Sequence, residues 1–303
     1  MDVGERERAG DPARLTASAP ELAGPTSTRT RRDRYERRQR RRSIGAATTS
    51  TVVVVGLLVW LIPKTSGWEN VQQSFFSPTV FRDVFPELLG PFWYDVQIFL
   101  WCAPCIVVVA LLIAMARNVR APALYPIRLF AIVYTDVVRG VPVLLWILLL
   151  GFGVPGILQT REWYGEFVIW GSVALVVAYS AYVAEVFRAG IEGVHESQRA
   201  AARSLGLTAG QTMRGVVLPQ AVRRVVPPLM NDFVSLQKDV ALISVLGPVE
   251  VLRQAQIEVA RTFNFTPYVA AALLFLCVSI PLTRLTDHLL QRERSVMSAT
   301  AVR

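Results

Sequence analysis

Long apolar segments constrain this chain of 303 residues more than any other feature. Runs with few or no charges recur at 44–62, 96–116, 141–158, 167–186 and 268–289. They match the length of about 20 residues that an α-helix needs to cross the hydrocarbon core of a bilayer. Hydrophobic residues make up 52% of the chain and charged residues only 18%, which excludes a soluble globular protein. We therefore expect an all-α, polytopic membrane protein.

The distribution of arginine indicates a sixth span. Five spans would put the termini on opposite sides of the membrane, with the C-terminal arginines outside. With 225–247 as a sixth span, 25 of the 32 Lys and Arg residues fall on one side and 5 on the other, while two lie within or beside spans. Because basic residues collect on the cytoplasmic side, we predict six transmembrane helices with both termini cytoplasmic.

Both ends of the chain are polar. Residues 1–43 end in RTRRDRYERRQRRR and lack a core-forming pattern, so they predict a disordered, basic cytoplasmic tail. A flank that orients the first span is favoured over one that binds nucleic acid or anionic lipid. We expect membrane lipid, and no nucleic acid, among the partners. Residues 44–62 start too late for an ordinary signal peptide and predict an N-terminal span; residues 291–303 predict a second cytoplasmic tail.

Few side chains suit catalysis or metal binding. Cys102 and Cys105 form a C-x-x-C within an apolar run, where membrane packing is favoured over a redox pair or a metal site. His195 and His288 are the only histidines and lie far apart in sequence. The chain has no G-x-x-x-x-G-K-[ST] motif, so another subunit must bind ATP if transport uses it. We expect no cofactor, no metal and no enzymatic activity.

The predicted sixth span carries a polar stripe. At 100° per residue, five of its polar residues fall within an arc of about 120°, namely Asn231, Asp232, Ser235, Lys238 and Asp239. Gln237 falls on the other side. A charge in lipid costs about 2.5–3.5 kcal/mol even on insertion scales, so the stripe must face protein or a water-filled path. A transport path is favoured; the alternative is that Lys238 pairs with one of the two aspartates inside the bundle.

A long connector, QRAAARSLGLTAGQTMRGVVLPQA at 198–221, precedes this span on the predicted cytoplasmic side. Residues 196–205 have helix-forming content, and Gly206 is a natural stop. Thr208 then opens a second helix with Gln211 as its capping-box partner, and Pro219 is expected to end it. The spacing leaves two functions open: docking into a groove of another protein, or an amphipathic hairpin held at anionic headgroups by its arginines.

Several motifs in order resemble one family, the permease subunits of polar amino acid ABC importers of the histidine, glutamine, glutamate and arginine group. SAYVAEVFRAGI at 180–191 resembles S-A-Y-x-A-E-x-x-R-x-G-I, and LPQA at 218–221 follows at the family spacing. RGVP at 139–142 resembles R-G-T-P, and PPLMNDFVSLQKDVAL at 227–242 resembles P-x-x-x-N-x-x-x-x-L-x-K-D-T-S-L. The connector matches Q-x-E-A-A-x-x-L-G at Gln198, Ala201, Ala202, Leu205 and Gly206.

The resemblance implies a five-helix type I permease domain at 90–290, with 44–62 as an additional helix. The connector would be a coupling loop, at 192–221, that docks on a separate ATP-hydrolysing subunit. Substrate would arrive from an extracytoplasmic binding protein in a bacterial plasma membrane, and a second permease would complete the path. The cargo implied is a polar or charged amino acid, of the glutamate, glutamine, arginine or histidine class, moved inward. The residues implied to couple to the ATPase are Gln198, Ala200, Ala201, Ala202, Leu205 and Gly206.

Two departures from the family pattern bear on this expectation. Ala200 replaces the glutamate of E-A-A, which suggests a heterodimer whose other permease keeps that glutamate. Val240 and Ala241 replace T-S, which removes two hydroxyls beside the path, so substrate choice is not carried over from the family.

Four further residues have predicted structural or gating roles. Glu185 and Arg188 share one helix face, and a local ion pair that anchors the coupling loop is favoured over a gate. Tyr182 is expected either to line the path or to be an interfacial aromatic residue. Arg139 belongs to the RGVP element. The rival functions are an ion-coupled secondary transporter that uses Lys238 and Asp239, and a membrane enzyme, against which the lack of a nucleophile–base set argues.

Overall fold

The computed structural model describes residues 26–119, 121–159 and 166–301, and every regular element within them is helical, in agreement with the all-α prediction. Two compact units are distinguished, Met1–Trp68 and Glu69–Arg303. The helices are α1 (Thr26–Leu61), α2 (Trp68–Phe75), α3 (Pro78–Arg117), α4 (Tyr125–Gly140), α5 (Val143–Leu158), α6 (Phe167–Glu192), α7 (Glu196–Ser204), α8 (Ala209–Thr212), α9 (Leu218–Asp239), α10 (Val251–Thr262) and α11 (Thr266–Ala301).

The first unit is formed by α1 and a short 3-10 turn, Ile62–Lys64. Residues 44–62 are exposed within it, as a lipid-facing span requires. The helix begins at Thr26, so residues 26–43 are helical where the sequence predicts a disordered tail. That stretch contains no Gly or Pro and is rich in arginine, a good helix former. The rest of the predicted tail, residues 1–25, lies outside the described residues. At the other end, α11 is helical to Ala301, through most of the second predicted tail.

The second unit is built around α6. Its sides pack on α3, α5 and α9 in one core that includes Ile106, Ile147, Leu175, Leu236 and Ile243. The buried residues of α6 are mostly small, among them Gly171, Ala174, Ala178, Ser180, Ala181, Ala184 and Gly190. Small residues let helix backbones approach closely where lipid provides no hydrophobic drive for association. A second core joins α3, α10 and α11 through Leu88, Val251, Ala255 and Ala270.

Two bent helix pairs decide how many spans are counted. Among the described residues, four helical segments are long and apolar enough to cross a membrane alone, and up to six are obtained if each bent pair forms one span. The pairs are Pro122–Gly140 with Val143–Leu158, bent by 106°, and Ala209–Leu246 with Val251–Thr262, bent by 54°. The six predicted spans correspond to the upper count. The cytoplasmic location of both termini stays a prediction.

The first bend explains a helix that hydropathy misses. Residues 125–140 were outside the predicted spans, yet they form α4. Val141 is extended, with φ −110° and ψ 133°, because the ring of Pro142 disfavours the helical conformation in the residue before it. The break, at Val141 and Pro142, coincides with the start of the span predicted at 141–158, and α5 then leaves in a new direction.

Pro219 does not end the connector helix, contrary to the prediction. Residues 209–239 are continuously helical, through a π-helical segment, Met213–Val217. Leu218 N–H donates to the carbonyl of Met213, five residues back, and this wider turn accommodates a proline ring that would clash in a regular α-helix. Pro227 and Pro228 lie inside α9 rather than at its end. The span predicted at 225–247 therefore starts earlier and finishes as a 3-10 segment, Val240–Leu246.

Two buried carboxylates hold the N-terminus of α10. Glu250 is completely buried and caps the helix: its oxygens accept from Leu252 N–H at 2.8 Å and from Arg253 N–H at 2.6 Å. Asp95 of α3 is 3% exposed; its Oδ2 accepts from Val251 N–H at 3.4 Å, while its Oδ1 has no hydrogen-bond partner among the described residues. Asp95 therefore attaches α10 to α3 while Glu250 caps α10 itself, and only one oxygen of Asp95 is satisfied.

Asp95→Asn should therefore leave the thermal unfolding midpoint of the detergent-solubilised protein unchanged or raise it. The amide oxygen keeps the bond to Val251, and the substitution replaces an acid whose other oxygen is buried without a partner. Glu250→Gln should lower the midpoint. The glutamine NH₂ group would replace one of the two accepting oxygens, so one backbone N–H of α10 would face another donor and lose its hydrogen bond. Equal shifts for the two variants would contradict this assignment.

Gly151→Ala should destabilise the protein by about 1–3 kcal/mol, the usual cost of overpacking a core. A Cβ there would lie 2.4 Å from Cδ1 of Leu246, a side chain that is only 5% exposed and has little room to move. Gly153→Ala on the same helix is the control, because its Cβ would meet no atom within 4 Å. Thermal unfolding of both variants tests the contact, and a drop of the same size in each would refute it.

Candidate functional site

The connector forms a short, well-defined helix–turn–helix. His195 caps α7 by accepting Ser197 N–H at its Nδ1, at 3.2 Å. Gly206 follows α7 with φ +80°, a conformation that glycine adopts without steric penalty. Thr208 Oγ1 then accepts Gln211 N–H while Gln211 Oε1 accepts Thr208 N–H, which is the predicted capping box. The segment is therefore fixed by local bonds at both helix starts and at the turn.

The connector is also anchored to the ends of the spans. Val194, Val217 and Ala221 form a small buried cluster with Ile191 at its edge. Arg199 donates to the carbonyl of Ile191 at the end of α6, and Arg203 pairs with Glu196 at 2.8 Å. Two of the three arginines that a headgroup-bound hairpin would need are thus engaged within the protein, which favours docking on another protein.

Five of the six predicted coupling residues are exposed, namely Gln198, Ala200, Ala201, Leu205 and Gly206. Ala202 differs: it is 3% exposed, so it packs against the chain itself. Gln198, Ala201 and Leu205 are spaced three and four residues apart and share one face of α7. Leu205 is 83% exposed, an unusual state for a leucine next to a rigid turn. Gln198, Ala201 and Leu205 therefore form one exposed surface, and Leu205 is its apolar tip.

The polar stripe of α9 is arranged as its helical spacing predicts. Gln237 is buried on the opposite side, where its Oε1 accepts the hydroxyl of Ser279 at 2.6 Å. Asn231, Ser235 and Lys238 are exposed, and the two aspartates, Asp232 and Asp239, are half-buried.

The two aspartates and Lys238 do not pair with one another. Lys238 makes no ion pair within the part of the chain that the structure describes, so the predicted internal pair with Asp232 or Asp239 is not formed. Asp239 Oδ2 instead accepts the hydroxyl of Tyr179 at 2.8 Å. Asp232 Oδ2 is buried and has no hydrogen-bond partner among the described residues. An exposed cation and a carboxylate whose buried oxygen lacks a hydrogen-bond partner therefore lie along one helix face.

A cluster of charges lies near the C-terminal end of α6. It consists of Arg117, Arg139, Glu185 and Arg188, and we call it the Glu185 cluster. Arg188 Nε donates to both oxygens of Glu185 at 3.0 Å, so the expected ion pair is present. Arg117 Nη1 lies 2.9 Å from Glu185 Oε2 and Arg139 Nη1 lies 4.0 Å from the same atom. One carboxylate thus meets guanidinium groups from three helices.

Tyr182 joins Arg139 to this region. Its hydroxyl donates to the backbone carbonyl of Arg139 at 3.4 Å, and the Arg139 guanidinium lies 5.7 Å from its ring centroid. Sequence reasoning overlooked Tyr179 and Arg117. The available signals were the three-residue spacing of Tyr179, Tyr182 and Glu185 on one helix face, and the position of Arg117 as the last residue of its span.

The cysteines lie within the helix bundle as free thiols. Cys102 is fully buried in the main core, with its Sγ 3.8 Å from the carbonyl oxygen of Ser172, and Cys105 is half-buried. Within residues 26–119, 121–159 and 166–301, no three His, Cys, Asp or Glu side chains are grouped to hold a metal ion.

Comparison with known proteins gives consistent matches. The family model described as "Binding-protein-dependent transport system inner membrane component" matches residues 125–295. The probable amino-acid ABC transporter permease protein PatM of Vibrio harveyi is 32% identical over 203 residues, which cover 67% of this chain and 89% of the relative. The probable glutamine ABC transporter permease protein GlnM of Bacillus subtilis is 33% identical over 174 residues, covering 57% and 79%. The arginine transport system permease protein ArtQ of the same organism is 34% identical over 153 residues, covering 50% and 68%.

Solved structures show the same relationship. A crystal structure of an amino acid ABC transporter with histidines aligns with a TM-score of 0.63 and 32% identity, over 72% of this chain and 98% of that one. The MetNI methionine ABC transporter in an inward-facing conformation aligns with a TM-score of 0.55 over 68% of this chain and 95% of that one. At 17% identity, this match shows the fold alone.

Gly206→Ala should loosen the turn of the connector, because an alanine at φ +80° is strained by roughly 1–2 kcal/mol. Gly206→Asn should have a smaller effect, since asparagine tolerates this conformation better. The measurement is the rate of tryptic cleavage at Arg203 and Arg214 in the detergent-solubilised protein. Gly210→Ala is the control, because Gly210 is helical and a Cβ there meets no atom within 4 Å. Cleavage that is unchanged in Gly206→Ala would contradict the strained turn.

Proposed function

Because the chain belongs to the family of binding-protein-dependent transport system inner membrane components, we propose that it moves a polar or charged amino acid inward, driven by ATP hydrolysis in a separate subunit. It is a permease subunit of an amino-acid ABC transporter, a multi-pass protein of the cell membrane with the type I permease fold, and its relatives are transport subunits rather than enzymes. The relatives named for glutamine and arginine support a cargo of the glutamate, glutamine, arginine or histidine class.

The observation that carries the proposal is the exposed surface of α7 beside an unbroken helix. Leu205 presents an apolar side chain to the outside, and burial of a leucine stabilises a contact by about 1.5–3 kcal/mol. The connector is rigid at its caps and turn, so it suits a groove in the ATP-hydrolysing subunit. From Ala209 the chain stays helical to Asp239, so displacement of the docked end moves the polar stripe as well.

The polar stripe of α9 suits an amino acid zwitterion. An α-ammonium group needs an acceptor such as the half-buried carboxylate of Asp232, and an α-carboxylate needs a cation such as Lys238. Asn231 and Ser235 add neutral hydrogen-bonding groups on the same face. The hydroxyl of Tyr179 holds Asp239 in place. We assign these side chains to the substrate path, with selectivity shared with an extracytoplasmic binding protein.

The domain boundaries follow from the same proposal. The permease domain spans 90–290 with the coupling loop at 192–221, residues 44–62 are an additional N-terminal span, and the polar ends at 1–43 and 291–303 are cytoplasmic. Support for an addition to the core comes from the solved amino acid transporter, which is matched over 98% of its length by 72% of this chain.

A second permease completes the transporter, and we favour a heterodimer. Ala200 is exposed on the coupling helix, at the position where the resembling motif has a glutamate. A carboxylate at this position, the fifth of the nine residues of α7, would offer an anionic contact to a partner. A partner permease that keeps the glutamate would supply this contact, whereas full activity of a transporter assembled from this permease and the ATPase alone would contradict the heterodimer.

Leu205→Ala should weaken association with the ATP-hydrolysing subunit by about tenfold, equivalent to 1.4 kcal/mol. The control is Leu124→Ala, which removes another exposed leucine outside the coupling loop. Affinity is measured with the purified ATPase in detergent. Equal affinities for the two variants would overturn the assigned docking surface.

The substrate class is tested in proteoliposomes that contain the complete complex and its binding protein. ATP hydrolysis is measured with a panel of amino acids, and stimulation is expected for polar or charged ones. An absence of stimulation by all of them would contradict the proposed cargo.

A further inference from the structure

The Glu185 cluster joins three helices that the sequence places far apart. Arg117 is the last residue of α3, Arg139 lies in the last turn of α4, and Arg188 is on α6 with Glu185 itself. Arg117 is the member that bridges most: its Nη1 donates to Thr135 Oγ1 of α4 at 2.8 Å and to Glu185 Oε2 of α6 at 2.9 Å. A single NH₂ group thus links three helices.

The partners of Arg117 are firmly held. Thr135 is fully buried, and its hydroxyl lies 3.0 Å from the carbonyl of Ala131 and 2.8 Å from that of Ile132. Glu185 is fixed by both oxygens to Arg188. Since both ends are set by other bonds, movement of α6 at Glu185 is transmitted through Arg117 rather than absorbed by a side-chain rotation.

The cluster also lies on a bonded route to the coupling loop. Arg188 contacts Glu192, the last residue of α6, as well as Glu185. Arg199 of α7 donates to Ile191 beside it. Displacement of α7 therefore acts on the end of α6, and two members of the cluster, Glu185 and Arg188, lie in about the last two turns of that helix.

The route continues into the bent α4–α5 pair. Trp146 Nε1 of α5 donates to the carbonyl of Val138 on α4 at 3.1 Å, across the break at Val141 and Pro142. This bond holds the two helices together through their 106° bend. Movement passed to Thr135 is accordingly shared by α5, which packs on α6 in the main core.

We propose that Arg117 is a positioning residue through which movement of the coupling loop reaches α3 and the bent α4–α5 pair. The inference rests on the proposed function, because it assigns the route by which ATPase docking acts on the spans. The hydrogen bonds of Arg117 go to Thr135 and Glu185 and not to the polar stripe of α9. Its role is separate from helix packing, since α4 is also attached to α6 by Tyr134, whose hydroxyl lies 2.8 Å from both the Val177 carbonyl and the Ser180 hydroxyl.

Arg117→Gln tests this role in the reconstituted complete complex. Binding of the ATPase and basal ATP hydrolysis should stay at wild-type levels, while stimulation by substrate-loaded binding protein should fall by about tenfold, within the range of ordinary coupling energies. Arg117→Lys, which keeps the charge and loses the planar donor pair, should give an intermediate stimulation. Arg128→Gln is the control, because Arg128 is exposed on α4 and makes no ion pair in the described ranges.

A double-substitution cycle identifies Glu185 as the partner. If Arg117 acts through Glu185, stimulation in Arg117→Gln/Glu185→Gln should equal that in Glu185→Gln alone. Additive losses, or full stimulation in Arg117→Gln, would overturn the inference and leave the proposed function intact. Failure of the wild-type chain to bind any ATPase would instead contradict the proposed function. If Arg117→Gln does not assemble, the same criteria apply to Arg117→Lys.

Discussion

Close packing of α6 against its neighbours is the contact on which the rest of this structure depends. Lipid tails are as apolar as leucine, so helices in a membrane associate by van der Waals contact and hydrogen bonds rather than by removal from water. The glycines and alanines of α6 allow such contact on several sides at once: a Cβ on Gly190 would lie 2.3 Å from Val225 Cγ2. This one helix positions both the Tyr179–Asp239 bond, beside the polar stripe, and the Glu185 cluster.

Charge is placed at the margins of that packed helix and is consistently partnered by protein. The ion pairs of the Glu185 cluster have side chains that are 20–40% exposed, and three guanidinium groups share one carboxylate, so they form a network rather than isolated surface pairs. On α9 the charges are not paired: Asp232 Oδ2 has no hydrogen-bond partner and Lys238 makes no ion pair within the described residues. The charges of the Glu185 cluster are paired, whereas Asp232 and Lys238 on α9 make no ion pair within the described residues. This difference suits the cluster to transmitting movement and α9 to binding a ligand.

The features predictable from the sequence are those determined locally. Hydropathy marks most of the spans, and the capping box at Thr208 and the stop at Gly206 depend on side chains a few residues apart. Helical spacing separates Gln237 from the polar stripe. The features that sequence reasoning misses depend on distant partners or on a compensating distortion: Arg117 meets a glutamate 68 residues away, and Pro219 is tolerated because a π-helical turn precedes it. The burial of Ala202 depends likewise on tertiary packing.

The unbroken helix from Ala209 to Asp239 fixes the rotational phase between the capping box that opens it and the polar stripe near its end. Each residue advances an α-helix by 100°, so gain or loss of one residue between the docking turn and the stripe would rotate Asp232 and Lys238 toward a different neighbour without altering either motif. The spacing between the two motifs is therefore as much a determinant of transport as the residues within them. The π-helical turn, which holds an additional residue in its ring, already shifts this phase between the two motifs.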